Sequence, residues 1–212
     1  MRVDVFFAPS IVLPTDVNNR VVAVVDVLRA STSIATALAN GARAVIPLAS
    51  SEEVASRSKS LERSEVRLAG ERRMQRVPGC DLGNSPLEFT REAVEGKTVL
   101  MSTTNGTAAV LAVQGAKEIV IGSYVNFSAA RGRLRSSLKA GHDVAIVCAG
   151  NERHFALEDS VCAGLFVRHL TVKNAKAEVN DAALAALVLN QKYGTNITRL
   201  LRASAHGKSL VE

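Results

Sequence analysis

Val21-Val22-Ala23-Val24-Val25-Asp26-Val27-Leu28-Arg29-Ala30-Ser31-Thr32-Ser33 joins an unbroken apolar run to a turn rich in Ser and Thr. A run without polar alternation reads as a strand covered on both faces. The hydroxyl-rich turn then opens an Ala-rich helix, Thr32–Asn40, which Gly41 terminates before a second apolar run, Ala44–Leu48. Strand, turn, helix and strand in this order make the crossover unit of a parallel sheet. The same pattern recurs along the chain. Strands are expected at Val3–Phe7, Val21–Val27, Ala44–Leu48, Val66–Ala69, Thr98–Ser102, Glu118–Gly122 and Val144–Ala149. Helices are expected at Thr32–Asn40, Glu52–Leu61, Gly106–Gln114, Ser128–Ala140, Glu158–Val172, Asn180–Tyr193 and Ile197–Ala205. The fold class is therefore α/β: a mostly parallel or mixed sheet with helices on both faces.

One internal similarity supports a subdivision. Asn40-Gly41-Ala42-Arg43-Ala44-Val45-Ile46 resembles Gln114-Gly115-Ala116-Lys117-Glu118-Ile119-Val120, and each follows a strand, a Ser/Thr turn and a short Ala-rich helix. This reads either as an internal β-α-β duplication or as ordinary glycine-capped α/β grammar. The chain is expected to form a single domain over 1–212, with two β-α-β lobes, roughly 1–95 and 96–212, as its subdivision.

Composition narrows the function. With 212 residues and 47% hydrophobic side chains, the chain builds a core without staples. No apolar stretch approaches the roughly 20 residues of a membrane span, and no secretory signal is visible, so a cytoplasmic protein with no membrane partner is expected. Cys80, Cys148 and Cys162 have neither disulfide nor zinc spacing, which suits a reducing compartment. The net charge is +6, with 13 basic and 12 acidic side chains in residues 1–106 but 13 and 8 in residues 107–212. Arg131, Arg133, Arg135 and Lys139 cluster, as a solvated helix face or as a surface for an anion. With 4% aromatics and no nucleic-acid-reading motif, no nucleic-acid partner is expected.

Four segments could carry chemistry. The first puts Asp26 at a strand's carboxyl end, where open α/β sheets bind ligands, with Arg29 and a helix start beside it. Asp26 could hold Mg2+ or attack phosphorus, and Arg29 could clamp phosphate oxygens. Ser31 and Thr32 offer hydroxyls and amides to an anion, although Ser31 also reads as a plain helix cap. The second, Met101-Ser102-Thr103-Thr104-Asn105-Gly106-Thr107, repeats this logic without a Walker lysine. Gly106 would let backbone approach a ligand. If both strands share one sheet, the two helix starts meet at one anion.

The third is Gly70-Glu71-Arg72-Arg73 with Pro78-Gly79-Cys80-Asp81-Leu82-Gly83-Asn84-Ser85-Pro86. Glu71 follows a strand directly; Asp81, Asn84 and Ser85 could bind metal or substrate, or form an Asx-turn and a cap before Pro86. Gly70–Pro86 is too long for an idle loop in a compact domain. The fourth runs from Cys148-Ala149-Gly150 through the loop 151–155 to Leu157-Glu158-Asp159 and Cys162-Ala163-Gly164. Adjacent carboxylates at a helix start are favoured by the dipole and also suit Mg2+. His154 reads as either substrate-facing or simply exposed, and Cys162 as core.

Taken together and in this order, Val24–Thr32, Gly70-Glu71-Arg72, Pro78–Pro86, Thr103-Thr104-Asn105-Gly106-Thr107, Leu157-Glu158-Asp159 and Cys162-Ala163-Gly164 resemble the 2-phosphosulfolactate phosphatase family. The resemblance implies a Mg2+-dependent phosphatase for phosphate esters of 2-hydroxycarboxylic acids. The namesake reaction releases sulfolactate and phosphate on the route to coenzyme M. Four departures stand out. Ala108 occupies a place where the family pattern has arginine. Asn151-Glu152-Arg153-His154 replaces a more glycine-rich loop, and Cys80 replaces an aromatic. The chain stops at Leu210-Val211-Glu212, short of the family's usual end.

On this reading Asp26, Glu158 and Asp159 hold Mg2+, and Asp26, Arg29 and Asp159 carry catalysis. Ser31, Thr32, Glu71, Asp81, Asn84, Ser85, Thr104, Asn105, Gly106 and Thr107 contact substrate or phosphate. The substrate is a small phosphate ester, and a homo-oligomer fits as well as a monomer. A non-catalytic sensor of phosphorylated metabolites, built on the same anion cradle, is the alternative; a nucleic-acid binder, suggested by the net charge, is a third.

Overall fold

A computed structural model describes residues 1–172 and 177–211. In chain order the elements are β1 (Arg2–Phe6), α1 (Pro14–Val17), β2 (Val21–Val25), α2 (Ala30–Ala39), β3 (Ala44–Pro47), α3 (Ser51–Ser58), β4 (Val66–Arg72), β5 (Gln75–Arg76), α4 (Arg91–Val94) and β6 (Thr98–Ser102). There follow α5 (Gly106–Ala112), β7 (Glu118–Gly122), α6 (Phe127–Lys139), β8 (Val144–Cys148), α7 (Leu157–Thr171), β9 (Glu178–Val179), α8 (Asp181–Tyr193), α9 (Ile197–Ala203) and α10 (Ala205–Val211).

The strands form two sheets. One runs β7-β2-β8-β1-β9 and is parallel throughout; the other runs β3-β6-β4-β5 and is parallel except for the β4–β5 hairpin. The α/β class is as expected. The expectation that the Asp26 and Thr103–Thr107 turns follow strands of one sheet is not met: β2 lies in the first sheet and β6 in the second. Each of the two similar β-α-β stretches changes sheets. The unit β2-α2-β3 starts in the first and ends in the second, and β6-α5-β7 runs the other way.

That exchange leaves α2 and α5 between the sheets. Strand side chains alternate faces. Val21, Ala23 and Val25 face a core with Leu134 of α6 and Phe166 of α7, while Val22 and Val24 face one with Ala109, Val110 and Val113. In the second sheet Ala69, Val99 and Met101 pack on Ala30, Ile34 and Ala37 of α2, and Leu68 and Leu100 pack on Val54 of α3. Central strands buried on both faces explain the unbroken Val/Ile runs.

The differences at element ends have local causes. β2 stops at Val25, two residues early, and the Val27 N–H donates to Asp159 Oδ1 instead of a neighbouring strand. α2 starts at Ala30 because Asp26 Oδ1 accepts from the Ala30 N–H (3.1 Å) and so caps it. Gly70–Pro86 is not all loop. The Gly70 N–H pairs with the Leu82 carbonyl, β4 runs on to Arg72, and Arg73 and Met74 turn the chain at φ 49 and 67 into β5. The single C-terminal helix is two, broken where Ser204 Oγ accepts from the Gly207 N–H (2.8 Å). No helix among the described residues is long and apolar enough to cross a membrane. Of the chain end Leu210-Val211-Glu212, Glu212 lies outside the described residues.

Candidate active site

The carboxyl ends of β2, β4, β6 and β8 open on one cleft of about 390 Å3. Asp26, Arg29, Glu71, Asn84, Thr104 and Asn105 line it, six residues singled out from sequence and brought together from both sheets. Leu28, Arg73, Met74, Thr103, Asn151, Glu152, His206 and Ser209 complete the wall.

Two short turns meet at its floor. A Cβ placed on Gly106 would lie 2.3 Å from Ala30 Cβ and 2.6 Å from Asp26 Oδ2. Only glycine lets the start of α5 approach the start of α2 this closely. Backbone bonds then fix each turn. Ser31 Oγ accepts from the Asp26 N–H and donates to the Val24 carbonyl. Thr107 Oγ1 accepts from the Thr103 N–H (3.0 Å), and Thr103 Oγ1 accepts from the Thr107 N–H (3.1 Å).

These bonds correct part of the expected anion cradle. The Ala30 and Ser31 amides already donate to Asp26, the Thr107 amide to Thr103, and the Thr104 amide to Glu71 Oε2. Thr32 Oγ1 donates to the Val27 carbonyl. Ser31, Thr32 and Thr107 therefore brace the turns rather than face a ligand. Asp81 is also displaced from the cleft: it pairs with Arg63 (2.5 Å) and accepts from the Leu68 N–H. Ser85 lies outside it too, its N–H donating to Glu88 Oε1 in the short helical turn opened by Pro86. Turn chemistry and site chemistry use the same residue types, which is why sequence could not separate them. His154 is exposed and lies outside the cleft wall.

The acids are buried together. Asp26, Glu158 and Asp159 are 4%, 2% and 2% exposed, far drier than carboxylates usually are. Asp159 binds backbone with both oxygens, taking the Val27 N–H at 2.8 Å and the Gly150 N–H at 3.0 Å. It ties the end of β2 to the end of β8. Glu158 points toward α10, with Oε1 3.8 Å from His206 Nδ1. Glu71 accepts from the Met74 N–H and from Thr104. Burial, then repulsion from Glu158 and Glu71, pushes the Asp26 carboxyl up to about 7, against the Ala30 hydrogen bond and Arg29. Burial and the Asp26 and Glu158 charges likewise hold Asp159 well above the usual carboxylate range.

Positive charge comes from two sides. Arg29 reaches across to the β4–β5 turn, its Nη2 donating to the Met74 carbonyl (3.3 Å). Arg73, in that turn, also lines the cleft. Arg72, its neighbour, turns inward onto Ser102 Oγ (2.8 Å). Sequence reasoning passed over His206 and Ser209, because nothing local marks a C-terminal helix as a wall for turns so far away in the chain.

Comparison with known proteins places the chain in a family. The model of the 2-phosphosulpholactate phosphatase family matches residues 6–212. A Symbiobacterium thermophilum protein named "Probable 2-phosphosulfolactate phosphatase" is 42% identical, over 91% of this chain and 81% of its own length. Proteins of the same name from Clostridium beijerinckii and Thermotoga maritima are 36% and 37% identical, over 97% and 99% of this chain and 85% of each relative. The segments that bring the acids, the arginines and Gly106 to one cleft all lie within the matched region, and the chain belongs to the 2-phosphosulpholactate phosphatase family.

Proposed function

We propose that this protein hydrolyses the phosphate monoester of a 2-hydroxycarboxylic acid in the cleft at Asp26, with Mg2+ as cofactor. The substrate in its relatives' name, 2-phosphosulfolactate, is the first ester to test, and the product would then feed coenzyme M synthesis. The observation that carries the reading is a dry group of carboxylates beside two cationic side chains at the ends of four strands. Like charges in a dry site raise one another's energy, and a divalent cation is the natural compensation.

The residues present fit magnesium. Among the described residues no three His, Cys, Asp or Glu side chains form a ready-made metal cage. Mg2+ does not need one, since it takes one or two carboxylates and completes its shell with phosphate oxygens and water. Asp26 and Glu158 are the carboxylates with this role. Asn84 Oδ1, buried in the cleft wall without a hydrogen-bond partner among the described residues, is a third donor. Asp159 differs from the expected ligand: its two oxygens hold backbone, so it orients the site. When bound, Mg2+ supplies positive charge to the phosphoryl oxygens.

Phosphoryl transfer needs alignment and charge on the equatorial oxygens more than it needs covalent chemistry. Arg29 and Arg73 would bind those oxygens and the substrate's second anionic group. Asn105 and Thr104 form the wall that orients the ester. The attacker is water or the Asp26 carboxylate. An acid quench during turnover separates them, since only attack by Asp26 leaves a phosphorylated protein to be trapped. Phosphate release from 2-phosphosulfolactate and 2-phospholactate, with and without Mg2+, tests the reading. Binding without release would favour a sensor; neither binding nor release would overturn the assignment.

A further inference from the structure

The wall formed by Thr104 and Asn105 has a second side. There it borders a groove of about 450 Å3, which lies beside the catalytic cleft and shares these two residues with it. The rest of the groove is mostly carbon. Pro9, Ala108, Ala112 and Ala149 line it, with Arg153 as its one charged group. Ala108 and Ala112 are exposed and four residues apart, so they present methyls on one face of α5. No described residue accepts from the Arg153 guanidinium; only the Arg153 carbonyl is engaged, receiving the Ser10 hydroxyl at 3.4 Å.

The groove is built rather than incidental. Asn105 Oδ1 accepts from the Glu152 N–H (2.9 Å), so the dividing wall is tied to the Arg153 loop. Gly150 turns that loop at φ +71, where a Cβ would sit 2.2 Å from the His154 carbonyl oxygen. Phe155 anchors its far end edge-on against Phe7, ring centroids 5.3 Å apart.

We infer that this groove is a second subsite, which takes an aliphatic arm on the alcohol half of the ester, with an anionic end at Arg153. The inference rests on the phosphatase reading and extends its substrate class. A methyl or sulfomethyl branch at C2 is too short to pass Asn105, whereas an arm of four to six carbons would lie along the alanines. Each methylene buried there raises kcat/KM about two- to fourfold, the range for partial to full removal from water. A terminal carboxylate adds about two- to fivefold, the scale of an exposed ion pair.

The test is a rate series on the full chain with Mg2+: 2-phospholactate, 2-phosphohexanoate, 2-phosphooctanoate and 2-phosphononanedioate, the last carrying the same six-carbon arm with a carboxylate added. The expected kcat/KM rises along the series. Ala112→Leu, which fills the groove from an exposed helix position, should cancel the rise and leave 2-phospholactate unchanged. Arg153→Gln should remove the advantage of the nonanedioate alone. Melting temperatures of both variants within about 2 °C of the parent would show intact folds. Flat or falling kcat/KM with measurable turnover of 2-phospholactate overturns the subsite and spares the phosphatase reading. A rise that survives Ala112→Leu also overturns it. No phosphate from any ester sinks both.

Discussion

Replacing Asp26 by Asn should remove activity and stabilise the metal-free protein at the same time. Burial and neighbouring acids lift this carboxyl from an ordinary 3.8 to about 7. The sign follows from which state holds the proton. Between those values the folded chain keeps a proton that the unfolded chain has released, so stability falls as pH rises through the window. Above it, the ionised Asp26 costs the fold about 4 kcal/mol. Asn keeps the acceptor for the Ala30 N–H and carries no charge. It also puts an amide NH2 where Oδ2 was, at a cost of about 1–2 kcal/mol if unpartnered. The net gain at pH 8 is therefore about 2 kcal/mol, or about 4–8 °C in melting temperature for a chain of this size. At pH 4.5 the parent is protonated at this position and the gain should vanish. Thermal melts in EDTA at the two pH values measure both. Millimolar Mg2+ should raise the parent's melting temperature more than the variant's, because the compensating carboxylate is gone. Turnover should fall at least about a hundredfold, the scale for losing one strong electrostatic element. A variant that melts lower than the parent at pH 8, or by the same margin at both pH values, would refute the argument that charge is stored at this site.

Other substitutions probe the parts separately. Gly106→Ala forces the starts of α2 and α5 apart and should cost about 1–3 kcal/mol with a large loss of kcat; Gly115→Ala, where an added Cβ meets nothing within 4 Å, serves as the silent control. Arg29→Lys keeps the charge but loses the planar fork, so KM for a phosphoester should rise about tenfold in steady-state kinetics with the melting temperature nearly unchanged. Asp81→Asn should lower the melting temperature at pH 7 without altering kcat. Against the cost of burial, Arg63 and the Leu68 amide hold Asp81 below its ordinary 3.8, so its contribution is present above that value and is lost as pH falls through the lowered one. A pH-independent gap between variant and parent would contradict that assignment.

The crossover pattern was legible because burial on both faces of a central strand leaves one solution, a continuous run of Val, Ile and Ala. Thr98–Ser102, inside its sheet, was located to the residue for this reason. The four site segments were legible because strands of an α/β sheet end where ligands bind. What could not be read was the use of each polar side chain. Ser31, Thr32, Thr107 and Asp81 have the composition of an anion site and serve as turn braces. An internal bond to backbone and an external bond to phosphate require the same donor types, and only geometry distinguishes them.

By itself, then, the sequence determined the α/β class and the order of strands and helices, and it singled out six of the residues that line the cleft. Tertiary structure decided that two sheets, not one, carry them. It also decided that Asp159 holds backbone while Asp26 faces the cleft, and that α10 closes the wall with His206. The physical reason is range. Apolar periodicity and turn composition are set by neighbours a few residues away. The dryness that lifts Asp26, by contrast, arises where segments from across the whole chain converge.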